Sequence, residues 1–187
     1  PAEMSLRIFN AAKQSGIGLT HLPVFYAHAG FGGTAPGDGQ RPFIHSVDHF
    51  VTLLERLEKE RAGTAINLGL AIHSLRAATP DEMNTILGAE QTGGPIHIHV
   101  AEQQKEVDDC LAWSGRRPVQ WLLDEMPVDE RWCTIHATHM TAEETSRLAR
   151  SGAVAGLCPE TEANLGDGIF PATDFLGANG RFGIGTD

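Results

Sequence analysis

The chain has 187 residues, 41% of them hydrophobic, enough for one sizeable core within the usual span of a single domain. A formal net charge of -10 argues against a general binder of nucleic acid or anionic membrane, since those surfaces select for clustered Lys and Arg. No apolar run of about 18 residues occurs, the start PAEMSLRIFN lacks a signal-peptide layout, and Cys110, Cys133 and Cys158 form no C-x-x-C pair. These features lead us to expect a protein of the reducing cytoplasm.

In chain order, strand-like runs at 17–27, 65–73, 95–101, 132–137, 153–158 and 181–186 alternate with segments of helical spacing. That is the pattern of βα units around a parallel sheet. After the first run, His28 to Ser46 is Gly-rich and aperiodic, and reads as a loop, either lying on the surface or shaping the mouth of a site. Its GFGG fails the GxGxxG spacing, and no GK[ST] follows.

Ser46 is placed to cap a helix with an apolar stripe of Val47, Phe50, Leu53, Leu54 and Leu57, ended by Gly63. Thr79-Pro80-Asp81-Glu82 has the form of a capping box with a first-turn proline, and Thr141 with Glu144 repeats the box after the fourth run. With no low-complexity segment or linker, a single unit over 1–187 is expected.

Successive strand side chains point to opposite faces. In 65–73, Ile66, Leu68, Leu70 and Ile72 share one face and leave Asn67, Gly69, Ala71 and His73 on the other. In 95–101, Ile96, Ile98 and Val100 oppose His97, His99 and Ala101; in 181–187, Phe182 and Ile184 oppose Gly183, Gly185 and Asp187. In 132–137 the same reading sets Cys133 and Ile135 against Thr134 and His136. Four strands would then aim a polar residue at the C-terminal mouth of a barrel, the place where such folds keep their chemistry.

A lone histidine is more often a satisfied structural residue than a ligand, so His21, His28, His45, His49 and His139 are read as structural. His97, two residues deeper than His99, is read as a hydrogen-bonded interior residue. His99 stands apart because Glu102 follows three positions later, just past the strand end. An imidazole suits Zn or Fe, and an unligated carboxylate nearby can carry protons. With His136 and Asp187 closing further strands, a weak pair becomes a constellation.

PIHIHVAEQ, CTIHATHMT and GIGTD resemble the strand-five, strand-six and strand-eight motifs of the amidohydrolase superfamily, in its aminohydrolase branch. The resemblance implies a metal-dependent (β/α)8 barrel in which His99 and Asp187 bind one divalent ion, zinc or else iron. It also implies that Glu102 shuttles protons, His136 stabilises the attacked group, and Asp187 takes a proton from the water. HIH at 97–99 falls too late to be the family's first-strand HxH pair. The expectation is therefore an α/β chain forming a partial TIM barrel, roughly strands three to eight, with strands one and two and the small β-domain absent.

Within the branch, FYAHAGFGG, QRPFIHS, AIHSLRA and CPETEANLGDGIFP resemble the formimidoylglutamate deiminase group. This implies a small acidic substrate contacted by His73 and Arg76, whose guanidinium fork suits a carboxylate, and a homodimeric full-length enzyme. Arg76 could instead be a solvated arginine at a helix start. Rival readings are a deaminase of a guanine, cytosine or triazine ring, a metal-free barrel kept as a binding protein, and a cysteine hydrolase built on Cys158 beside Pro159 and Glu160.

Overall fold

The computed structural model describes residues 2–187. Helix α1 (Glu3–Ser15) leads into strands β1 (Leu19–His21) and β2 (Val24–Phe25), then α2 (Val47–Arg61), β3 (Ile66–Leu68), β4 (Leu70–Ser74) and α3 (Pro80–Ala89). Next come β5 (Ile96–Val100), α4 (Gln104–Ser114), α5 (Pro118–Glu125), β6 (Trp132–His136) and α6 (Ala142–Ser151). The chain closes with β7 (Val154–Leu157), α7 (Pro159–Leu165), α8 (Ala172–Gly177) and β8 (Arg181–Ile184). Strands β2, β4, β5, β6, β7 and β8 pair in that order, and β1 pairs with β3. Every pairing is parallel, as in part of the wall of a (β/α)8 barrel.

The helix signals hold. Ser46 Oγ accepts the His49 N–H at the start of α2, and Thr79 with Glu82, like Thr141 with Glu144, forms a reciprocal capping box. The first two expected strands do not run unbroken. The 17–27 run splits around Pro23, which has no N–H to give, and 65–73 splits at Gly69. A Cβ on Gly69 would lie 2.1 Å from the Pro95 carbonyl oxygen, so the neighbouring chain passes too close for any side chain. Bonds from Gly69 N–H to His21 O (3.0 Å) and Ala71 N–H to Pro23 O (2.8 Å) bridge both breaks.

The sheet's outer face carries Ile72, Ile98, Val100 and Trp132, all fully buried against helix residues such as Phe50, Met83 and Leu148. The inner face is half-exposed and carries His97 and His99. Strand β6 corrects the sequence reading. Thr134 is fully buried in register with Ile98, while Cys133 and Ile135 register with His97 and His99. Thr134 therefore belongs to the helix-facing set, and His136, in register with Val100, should too. It escapes because its φ of 68° is left-handed, which turns the imidazole over the strand ends.

The Gly-rich segment is a loop, and it is pinned. His28 Nε2 meets the Glu82 carboxylate at 3.0 Å, Phe31 stacks on Trp113 with centroids 5.4 Å apart, and Gln40 donates to the Tyr26 hydroxyl. His28 is thus satisfied as expected; His21 is not, its buried Nε2 finding no partner among the described residues.

Candidate metal centre

His99, His136 and Asp187 each present one donor atom, and these atoms all lie within 4.8 Å of one another. His99 arrives by regular alternation along β5. Ala101, His136, Ala137 and Asp187 all adopt positive φ, between 47° and 72°. Left-handed non-glycine backbone costs about 1 to 3 kcal/mol per residue, and here it gathers where the strands end over the site.

The His99 Nδ1 sits 2.6 Å from the His73 carbonyl oxygen. A carbonyl only accepts, so Nδ1 carries the proton and Nε2 keeps its lone pair. The His99 nitrogen and the Asp187 carboxylate oxygen suit a borderline divalent ion such as zinc, with a His136 ring nitrogen close beside them. The donor set fits the ion that the sequence implied.

Glu102 reaches the same point, with Oε1 3.6 Å from His136 Nε2. Its backbone is held from below: the N–H groups of Ala101 and Glu102 donate to the Glu106 carboxylate at 3.0 and 3.1 Å. Burial pushes the Glu106 carboxyl up, against the pull of Arg76 and those two N–H groups. On the far side of His136, Nδ1 lies 3.2 Å from Glu162 Oε1. Neither Glu106 nor Glu162 was singled out from sequence. The one available signal was their spacing, each four residues beyond a chain turn at a helix start, at Glu102 and Cys158.

His73 packs beside His99 with ring centroids 5.0 Å apart, and edge-on to Tyr26 at 4.8 Å. Burial, then the charges of His99 and Arg76, push its pKa down to about 4, so His73 is neutral at pH 7. Arg76 is half-buried, its Nε has no partner among the described residues, and it lines a cavity of about 590 Å³ with Gln103 and Trp113. Cys158 also sits near the centre, but burial and then the charges of Asp187, Glu162 and Glu102 push its pKa up. That favours the thiol over the nucleophilic thiolate and weighs against a cysteine hydrolase.

A parallel barrel wall with imidazole and carboxylate donors at its C-terminal mouth is the arrangement of a metal-dependent hydrolase. Residues 5–187 match the amidohydrolase family, and the chain belongs to it. It is 60% identical over all 187 residues to a formimidoylglutamate deiminase of Pseudomonas aeruginosa, and spans 41% of that relative's length. A crystal structure of an amidohydrolase from Brucella melitensis superposes on the whole chain with a TM-score of 0.95 at 58% identity, the match covering 42% of that protein. An adenosine deaminase from Xanthomonas campestris, solved with bound zinc, matches 95% of the chain and 38% of its own length, with a TM-score of 0.81 at 25% identity. Among the described residues no helix is long and apolar enough to cross a membrane.

Proposed function

We propose that the protein containing these residues hydrolyses a carbon–nitrogen bond, converting N-formimidoyl-L-glutamate and water to N-formyl-L-glutamate and ammonia. The observation that carries the reaction class is the cluster of donor atoms from His99, His136 and Asp187 with the Glu102 carboxylate beside it. The substrate reading is supported by the 60% identity to a relative named for that deimination.

His99 and Asp187 would hold the divalent ion, zinc by the character of the donors, and its Lewis acidity brings the pKa of water down to about 7. Asp187 takes the proton of the attacking water as its oxygen adds to the formimidoyl carbon. Glu102 passes a proton to the departing nitrogen, which leaves as ammonia. His136, through Nε2, stabilises the tetrahedral centre by hydrogen bonding. Neutral His73 offers a hydrogen bond to the substrate, and Arg76 grips one of its carboxylates with paired N–H donors.

A small dicarboxylate explains why a half-buried guanidinium stands near the site, which a neutral ring does not require. The test is ammonia release by the full-length protein from N-formimidoyl-L-glutamate, guanine and cytosine. Turnover of the first at least about 10³-fold better in kcat/KM supports the reading. Preference for either ring overturns it.

A further inference from the structure

We propose that Glu162 is a positioning residue for the reaction, which sets the ring orientation and the tautomer of His136; this rests on the hydrolytic role of His136 given above. His136 closes β6 with its imidazole buried to 1% exposure, stacked at 28° on His99 with centroids 5.6 Å apart. Stacking alone leaves the ring free to turn by half a rotation about its outer torsion, a broad and roughly two-fold well that exchanges a nitrogen for a carbon at each edge. Glu162 removes that freedom. Its Oε1 lies 3.2 Å from Nδ1, and its side chain is only 10% exposed.

The oxygen is held in turn. Oε1 accepts the Cys158 N–H at 2.8 Å, so the atom facing His136 is fixed by backbone and not by His136 alone. A carboxylate has only acceptor sites, which places a proton on Nδ1 and aims Nε2 at Glu102, 3.6 Å away. Lost orientation matters here, because an error of about 1 Å in a reacting group costs about 10²-fold in rate.

The double role of Oε1 separates the two obvious variants. In Glu162→Gln the Cys158 N–H still demands an acceptor, so the amide oxygen stays where Oε1 was and continues to receive Nδ1–H. In Glu162→Leu nothing does. The full-length Gln variant is therefore expected to keep kcat within about tenfold of wild type. The Leu variant should lose about 10²-fold in kcat, with KM changed by less than about threefold, because the lost contact serves the transition state.

A purely structural role would not move the second readout, 15N spectra of histidine-labelled protein. The His136 resonances, identified by their loss in His136→Gln, are expected to show a directly bonded proton on Nδ1 in wild type and in Glu162→Gln. In Glu162→Leu that proton should move to Nε2 or exchange between the two. A wild-type His136 with no proton on Nδ1 overturns the proposal whether or not any variant folds. So does a Leu variant with kcat within about threefold of wild type. Should the wild type release no ammonia from N-formimidoyl-L-glutamate while His136 keeps its Nδ1 proton, the substrate reading fails and the positioning geometry stands.

Discussion

His99 gives its Nδ1 proton to the backbone carbonyl of His73, 2.6 Å away across neighbouring strands. The pairing falls where the β4–β5 register shifts, between Ile72 and Ser74, so the extra residue of β4 is the one that anchors the ring. With Nδ1 committed, Nε2 is the nitrogen left for a metal. His99→Gln in the full-length protein should lower bound zinc, measured by plasma mass spectrometry, by at least about tenfold at unchanged secondary structure. A variant that retains its zinc takes His99 out of the donor set.

Glu102 is not one of the three clustered donors but lies against one of them, with Oε1 3.6 Å from His136 Nε2, and the proposed reaction makes it the proton carrier. Glu102→Gln should keep the metal and lose about two to four orders of magnitude in kcat, the usual worth of general acid–base catalysis. Metal content and turnover measured on one preparation separate the two effects. Near-normal turnover would remove Glu102 from the proton path.

Arg76 has a buried Nε without a partner among the described residues, a state that a bound carboxylate would relieve. Arg76→Met keeps much of the side-chain volume and removes the charge. The expected result is an increase in KM for N-formimidoyl-L-glutamate of about 10- to 100-fold, the worth of a charge-assisted bond, with kcat little changed. An unchanged kcat/KM excludes the contact.

Alternation alone brought His99 to the inner face, because β5 runs regularly, whereas Asp187 lies three residues past the end of β8 with a φ of 72°, so strand period does not account for its place. The same rule reached His136 by a wrong route: Thr134 points to the helices, and only the left-handed backbone at His136 restores its ring to the site. Such a φ is not written in a residue type that ordinarily avoids it. Glu162 was hard to read for another reason, since His136 lies 26 residues away and the local spacing to Cys158 marks only the backbone contact at the helix start. The breaks at Pro23 and Gly69 were visible as residues, but the close passage of Pro95 that requires the glycine depends on the third dimension.

The loop that begins at His28 is tied to the barrel through Glu82, and this tie should depend on pH. Burial pushes the Glu82 carboxyl up, yet hydrogen bonds from the Thr79 N–H, His28 and the Thr79 hydroxyl together outweigh it, and its pKa falls below the ordinary 4.5. A carboxyl depressed in the folded state adds stability that is complete above its unfolded pKa and disappears as pH falls through the folded value. Glu82→Gln should therefore cost about 0.5 to 1 kcal/mol in urea unfolding at pH 7. The gap to wild type should narrow as pH drops below 4.5 and close once Glu82 is protonated. A gap that stays constant from pH 7 to well under 4.5 would show that the charge of Glu82 contributes nothing, leaving the cap and the His28 contact as neutral hydrogen bonds.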